Sequence, residues 1–161
     1  MRSIVFVMLA LTSASLFAED PKAEPPPPPA AELRLIAGTS GPSEASWMYA
    51  YKSEACEEKE DEARLATFNV LTRGKKIASV GVGQRLYVLA VAKVEPPVGA
   101  DTVGKTSCRA MVSFVPEDKH AYEITHNVKA RKCPLTITDV ATGSEVATAQ
   151  KHKPAGKCKD T

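Results

Sequence analysis

Residues 85–94, RLYVLAVAKV, decide the fold class of this chain. They are rich in β-branched residues, which favour extended structure, and their apolar side chains fall on both faces of the extended chain. A strand with two apolar faces is typical of the centre of a sheet that is covered on both sides. The sequence therefore predicts a β protein with residues 85–94 as its central strand.

The sequence that follows alternates with a period of two, which is the pattern of a strand with one buried face. In residues 107–115 the apolar face carries Cys108, Ala110, Val112 and Phe114. Residues 116–119 (PEDK) predict a four-residue hairpin loop, and residues 120–128 predict the returning strand. One face of that strand carries Tyr122, Ile124 and Val128.

Shorter strand candidates fill the rest of the domain at a spacing of about ten residues, with turn residues between them. They are residues 33–37, 46–52, 67–72, 76–82, 135–137 and, as a weak final strand, 145–149. Residues 54–64 lack an apolar stripe, which indicates a solvated loop or a short surface helix. About eight strands with almost no helix predict an all-β fold, a two-sheet antiparallel β-sandwich of immunoglobulin-like type. A small barrel is the alternative.

The N-terminus has the order of regions of a secretory signal peptide, which we place at residues 1–18. Arg2 precedes an unbroken apolar run, residues 4–11 (IVFVMLAL), and a small-residue segment continues to Ala18. Such a run is too short to span a bilayer, which needs about 20 apolar residues. We predict cleavage after Ala18, with Ala14 as the alternative. The product would be a periplasmic or secreted protein without a transmembrane anchor.

Residues 19–31 (EDPKAEPPPPPAA) predict a proline-rich linker, because consecutive prolines favour the extended polyproline II conformation. The linker would serve as a spacer or as a docking peptide for an aromatic groove. Residues 32–161 would form a single domain with a basic C-terminal tail. Removal of residues 1–18 takes away Arg2 and no acid, which leaves 20 basic against 19 acidic residues. A charge so close to neutral provides no basis for nucleic-acid binding.

Four cysteines in an exported chain predict two disulfides. They are Cys56, Cys108, Cys133 and Cys158. No two of them form a C-x-x-C pair and no histidine lies at a zinc-site spacing, so the sequence predicts neither a metal site nor redox catalysis. The predicted hairpin would place Cys133 two strands, about 10 Å, from Cys108, and we therefore expect the pairs Cys56–Cys108 and Cys133–Cys158. The alternative pair, Cys108–Cys133, would be a bridge between the two sheets.

No catalytic motif is present in the sequence. It contains neither G-x-S-x-G nor S-x-x-K. His120 and His126 would lie about 20 Å apart if both were on one strand, too far to share a metal ion. The acids of residues 54–62 are typical of a solvated surface. We therefore predict a protein without enzymatic activity and without a cofactor.

Trp47, Tyr49 and Tyr51 alternate along one predicted strand, so their rings project from the same face. If that face is buried, the rings pack in a core. If it is exposed, they form a binding platform for sugar rings or for a partner protein.

Residues 106–145 resemble the second half of small exported bacterial proteins of unknown function. The shared pattern is a cysteine before an alternating strand, Phe-x-Pro, a tyrosine in the return strand and a second cysteine. Here it is formed by Cys108, Phe114, Pro116, Tyr122 and Cys133. The turn differs, since residues 118–120 (DKH) stand where a glycine is usual. The resemblance implies a β-sandwich in an outer compartment and implies no activity.

These features predict an exported, non-enzymatic interaction domain with a protein or cell-envelope partner. One alternative is an inhibitor of a secreted or periplasmic hydrolase, which would present residues 54–64 or 95–105 as a rigid loop. The other is a small hydrolase with an unrecognised site. A binding domain requires an exposed apolar or aromatic patch, and an inhibitor requires a protruding, crosslinked loop. A hydrolase requires a pocket with at least two ionisable side chains within hydrogen-bond reach.

Overall fold

A computed structural model describes residues 28–39, 45–57, 63–69, 74–94, 106–128, 133–155 and 158. Every element named in these ranges is a strand, so the fold class is all-β as predicted. The strands are β1 (Ala30–Thr39), β2 (Ala45–Tyr51), β3 (Arg64–Phe68), β4 (Lys75–Gly81), β5 (Leu86–Val94), β6 (Thr106–Phe114), β7 (Ala121–Val128), β8 (Leu135–Asp139) and β9 (Gln150–His152). The predicted signal peptide, residues 19–27 of the predicted linker and residues 95–105 lie outside the described residues.

The strands form two sheets. The four-stranded sheet has the order β4-β1-β7-β8, and the five-stranded sheet has the order β3-β2-β5-β6-β9. All neighbouring strands are antiparallel except β1 and β7, which run parallel from Glu32↔Ala121 to Thr39↔Val128. The prediction of purely antiparallel sheets is wrong at this pair. A parallel pair needs a long crossover connection, and here the chain passes through the five-stranded sheet between β1 and β7.

β5 is the central strand of the five-stranded sheet, between β2 and β6. Val88 and Ala90 belong to the core shared with the four-stranded sheet. Leu89 and Val91 point the opposite way and belong to a second apolar cluster. All four side chains are buried. The prediction that residues 85–94 contain a central strand covered on both faces is confirmed.

The main core takes alternate residues from both sheets. The four-stranded sheet contributes Ala31, Leu33, Leu35, Val80, Tyr122, Ile124, Leu135 and Ile137. The five-stranded sheet contributes Met48, Ala66, Phe68, Val88, Ala90, Val112 and Phe114. Burial of one large apolar side chain contributes roughly 1.5–3 kcal/mol, so this cluster is the main source of stability.

The predicted hairpin around residues 116–119 is wrong. β6 belongs to the five-stranded sheet and β7 to the four-stranded sheet, and residues 115–120 carry the chain from one to the other. Phe114 and Tyr122 both face the core, where their rings meet edge to face. The alternation of side chains predicts which face of a strand is buried, but it carries no information on which strands are neighbours.

The last strand in the described residues is β9, which pairs with β6. The prediction of a weak final strand at residues 145–149 is wrong. Glu145 forms only an isolated bridge with Thr138. The carboxylate of Asp139 accepts backbone hydrogen bonds of 2.8 and 3.1 Å from the residues that follow β8. Because these bonds favour a turn, the chain reaches its last strand later than the sequence suggested.

The two predicted disulfides are present, but the predicted pairing is wrong. The bonds are Cys56–Cys158, with a Cα–Cα distance of 5.2 Å, and Cys108–Cys133, with 5.9 Å. The prediction separated Cys108 from Cys133 because it placed β6 and β7 in one hairpin. With these strands in different sheets, Cys133 lies opposite Cys108 and the bond joins the two sheets.

β1 begins at Ala30, two residues before the predicted start of the domain at Glu32. Ala30 pairs with Gly81 and Ala31 with Val80. Ala31 is only 1% exposed and belongs to the main core. The strand therefore includes the last two residues of the predicted linker.

Candidate functional site

The aromatic face of β2 is covered. Tyr49 and Tyr51 are 1% and 4% exposed, and Trp47 is half-buried beneath Lys93, whose Nζ lies 5.2 Å from the ring centroid. These rings belong to the second apolar cluster, on the side of the five-stranded sheet that faces away from the main core. Cys56, Cys158 and Ala155 pack against the same cluster. Of the two interpretations of the aromatic row, packing is the one that its burial supports.

Ala155 and Cys158, which belong to the described part of the C-terminal segment, are held over this second cluster by a covalent bond and by hydrogen bonds. Cys158 is fully buried and bonded to Cys56, which follows β2. The guanidinium of Arg109 donates to the carbonyl oxygens of Ala155 and Cys158. The segment is thus fixed against the sheet, and its crosslink runs to Cys56 instead of the predicted Cys133.

Three polar residues from distant parts of the chain meet at the edge of this segment. The Oγ of Ser113 on β6 lies 2.8 Å from Nε2 of His152 on β9. The other ring nitrogen, Nδ1, lies 3.4 Å from a carboxylate oxygen of Glu54. The order of hydroxyl, imidazole and carboxylate is that of a hydrolytic triad. The sequence lacks a local motif for it, because β6, β9 and the loop after β2 come together only in the folded chain.

The surroundings of Ser113 oppose nucleophilic attack. Its side chain is fully buried, whereas a serine nucleophile must reach a substrate carbonyl. Its Oγ also accepts a 2.9 Å hydrogen bond from the guanidinium of Arg85, which donates a second bond to the carbonyl oxygen of Thr148. A hydroxyl that accepts from arginine is a poorer nucleophile. The hydrogen bonds of Ser113 with Arg85 and His152, and of Arg85 with Thr148, instead hold β9 and the loop before it against β6.

A second histidine, His120, immediately precedes β7 and is exposed. Its Nδ1 lies 2.8 Å from a carboxylate oxygen of Asp139, and Glu117 is 3.7 Å from Nε2. The hydrogen bond with Asp139 raises the pKa of His120, and the same bond lowers the pKa of Asp139. The His120 ring is exposed and stacks on Tyr122. This is an ion pair at the protein surface, in which the His120 side chain is 44% exposed.

The third histidine, His126, is fully buried between the sheets. Its Nδ1 lies 3.4 Å from the hydroxyl of Ser46 on β2, and its Nε2 has no hydrogen-bond partner. Burial lowers the pKa of His126 to about 4, so the ring is neutral at physiological pH. A ring nitrogen of His126 and the sulfur atoms of Cys108 and Cys133 all lie within 4.8 Å of one another. The sequence contains no local motif for this group, since the three residues are far apart along the chain.

The exposed edge of β4 is the other feature that could bind a ligand. β4 is the first strand in the order of the four-stranded sheet, with β1 on its only paired side in the described part of the chain. Ile77, the third of its seven residues, is 67% exposed. A shallow groove with a volume of about 430 Å³ runs beside it, lined by Ala30, Ala31, Glu32, Ile77, Ala78 and Ser79.

Comparison with known proteins identifies no relative. No family model, no curated protein and no solved structure matches this chain. The resemblance of residues 106–145 to small exported bacterial proteins therefore stays a prediction. Across the described ranges, no helix has the length and hydrophobicity needed to cross a bilayer.

Proposed function

We propose that this chain is an exported, non-enzymatic binding domain that holds a protein partner along the edge of β4. The observation that carries the proposal is the exposure of Ile77, at 67%, on a strand that pairs on one side only in the described residues. Natural proteins usually shorten, cover or charge such edges, because unpaired backbone groups recruit another strand. β4 is charged only at its first two residues, Lys75 and Lys76, and the five residues that follow carry no charge. An edge of seven residues with a protruding isoleucine is suited to that recruitment.

The partner would be an extended segment that carries acidic side chains. Lys75 and Lys76 begin β4, and the ammonium group of Lys75 is 3.8 Å from the carboxylate of Glu123. Both partners of that pair are exposed, and such a surface pair contributes little free energy. An acidic residue of a bound strand would therefore compete for Lys75 at small cost. Apolar side chains of the same strand would cover Ile77.

We also propose that the protein is exported and that its fold is an immunoglobulin-like sandwich. Two disulfides suit an oxidising compartment, and the predicted signal peptide would deliver the chain there. An immunoglobulin-like sandwich is supported by two sheets around one core and by Tyr122. The hydroxyl of Tyr122, near the start of β7, accepts a 3.0 Å hydrogen bond from the amide of Glu117, much as in the tyrosine corner of such domains. The parallel pairing of β1 and β7 is the main departure.

The test is capture of partners by two matched variants of the chain from residue 19. Ile77→Glu places a charge on the proposed edge, and Val140→Glu does the same at the other large apolar side chain that is exposed among the described residues. Each tagged protein is incubated with envelope extract of the source cells, and the retained proteins are identified by mass spectrometry. We expect proteins that the wild type and Val140→Glu retain and Ile77→Glu loses. Equal retention by both variants, or none by any form, would contradict the proposal.

An inhibitor of a secreted hydrolase is a second candidate, because the loop after β2 is crosslinked. Cys56 is bonded to Cys158, and Glu54 in the same loop is exposed. A loop braced by a disulfide presents a fixed backbone to a protease. Residues 58–62 of the predicted loop, and all of residues 95–105, lie outside the described residues. Inhibition of a panel of secreted proteases by the chain, lost after Cys56→Ser, would favour this candidate.

A further inference from the structure

Cys108, Cys133 and His126 form a compact group between the two sheets. Cys108 lies on β6, Cys133 precedes β8 and His126 lies on β7, so the group joins both sheets. Cys108 and His126 are buried and Cys133 is half-buried. Ala92 and Val128 pack around the two cysteines and make the surroundings apolar.

The imidazole of His126 has an unused nitrogen. Its side chain is fully buried, and Nε2 has no hydrogen-bond partner. A buried polar atom without a partner is destabilising and requires an explanation. The other nitrogen, Nδ1, faces the hydroxyl of Ser46 at 3.4 Å. A hydrogen on Nδ1 that is donated to Ser46 leaves Nε2 with a lone pair, which is the arrangement of a metal-binding histidine and its supporting oxygen.

The distances fit one metal ion. Zinc binds thiolate sulfur at about 2.3 Å and imidazole nitrogen at about 2.0–2.1 Å, so neighbouring ligand atoms are about 3.5–3.8 Å apart. One nitrogen of the His126 ring and the two sulfur atoms already lie within 4.8 Å of one another. When the disulfide is reduced, the two sulfur atoms need to separate by less than about 2 Å, which side-chain rotation supplies. The Cα–Cα distance of 5.9 Å need not change.

We propose that Cys108, Cys133 and His126 form a zinc site that opens when their disulfide is reduced. Two thiolates balance the charge of Zn²⁺, so the buried group stays neutral as a whole, which avoids the cost of a buried net charge. Cys133 is the most exposed of the three ligands, so a water molecule would complete the tetrahedron from its side. The site goes beyond the binding function proposed for β4 and does not depend on it.

The reduction needs a dithiol, which would be a protein of the oxidoreductase type. One thiolate of the dithiol attacks the half-buried sulfur of Cys133, the Cys108–Cys133 bond breaks, and a mixed disulfide forms. The second thiol of the reductant then displaces Cys133, so the dithiol loses two electrons and the pair gains them with two protons. Binding of Zn²⁺ to the two thiols releases these protons again. In the oxidised protein the pair has no thiolate to offer, and the site is closed.

The test compares zinc affinity in the oxidised and reduced chain from residue 19. The protein is reduced with a phosphine, desalted without oxygen, and titrated with Zn²⁺ in competition with a chromophoric chelator. The variants are His126→Leu, Ser46→Ala and, as control, His120→Leu at an exposed histidine away from the group. All three keep Cys56 and Cys158, so any zinc bound by that pair is common to them. Leucine suits the apolar surroundings of His126, and near-ultraviolet circular dichroism checks the fold.

We expect the reduced wild type and His120→Leu to bind one zinc ion that the oxidised protein does not bind. His126→Leu should bind it at least tenfold more weakly, and Ser46→Ala about 10–100-fold more weakly. X-ray absorption of the zinc complex should show two sulfur ligands and one imidazole nitrogen. Equal affinity of wild type and His126→Leu, or a spectrum without an imidazole ligand, would overturn the proposal. If His126→Leu fails to fold, the spectrum and Ser46→Ala decide the question.

Discussion

The rings of Phe114 and Tyr122 meet edge to face with their centroids 5.0 Å apart, although one residue belongs to the five-stranded sheet and the other to the four-stranded sheet. Seven residues separate them along the chain, which leads directly from one sheet to the other. This contact lies in the main core and joins its two halves. The sequence analysis had predicted a hairpin here, with β6 and β7 paired in one sheet.

Substitutions at this contact should lower the free energy of unfolding. Two variants distinguish the contribution of the Phe114 ring from that of the Tyr122 hydroxyl. Phe114→Ala leaves a cavity in the core and should cost about 3–5 kcal/mol. Tyr122→Phe keeps the ring but removes the acceptor of the amide of Glu117, which should cost about 1 kcal/mol. Urea unfolding measures both. A loss of less than about 1 kcal/mol for Phe114→Ala would show that the two sheets do not share this core.

The disulfide pairing can be read directly from the unreduced protein. Tryptic peptides should contain Cys108 linked to Cys133 and Cys56 linked to Cys158. Removal of each pair by serine substitution should destabilise the fold in proportion to the logarithm of the closed loop. The sequence separations are 102 and 25 residues, which correspond to about 4.7 and 3.5 kcal/mol. A peptide that joins Cys56 to Cys108 would restore the original prediction.

Local sequence patterns predicted the strands. They could not predict which strands, distant along the chain, lie side by side. The two apolar faces of β5 were visible in residues 85–94, since each face shows every second side chain. The buried faces of β6 and β7 were visible for the same reason. Neither pattern shows whether β6 and β7 lie in the same sheet. The sequence analysis assumed that they do, and the predicted disulfide pairing was wrong for that reason. The group of Cys108, Cys133 and His126 exists only through this arrangement.

The ion pair of His120 and Asp139 should make stability depend on pH. The raised pKa of His120 means that its contribution is complete below the unfolded value, 6.5, and is lost as the pH rises through the folded pKa. The lowered pKa of Asp139 means that its contribution is present above 3.8 and is lost as the pH falls through the folded pKa. The pair therefore stabilises the fold most at pH values above 3.8 and below 6.5.

His120→Phe keeps a ring beside Tyr122 and removes the hydrogen bond to Asp139. Chemical unfolding of wild type and variant between pH 5 and 8 measures the difference. We expect the advantage of the wild type to shrink as the pH rises above 6.5. A difference that stays constant with pH would show that the pair does not form in solution.

The start of the domain can be tested by truncation. A chain that begins at residue 28 keeps all of β1 and should unfold at the same temperature as the chain from residue 19. A chain that begins at Glu32 loses the pairs of Ala30 with Gly81 and of Ala31 with Val80, together with one buried side chain. For a loss of about 1 kcal/mol, its midpoint should fall by about 4 °C. Equal midpoints for the two truncated chains would place the boundary at Glu32, as the sequence predicted.

The arrangement of Ser113, His152 and Glu54 allows a direct test of hydrolase activity. A fluorophosphonate labels a serine only when the hydroxyl reaches solvent and a base removes its proton. Ser113 is fully buried and accepts a hydrogen bond from Arg85, so we expect no label on the peptide that contains it. Ser113→Ala should instead lower stability, by about 1–3 kcal/mol, because it leaves Arg85 and His152 without their shared partner. It should leave capture of proteins by the β4 edge unchanged. A label on Ser113 that disappears in His152→Ala would establish a catalytic triad and overturn the non-enzymatic assignment.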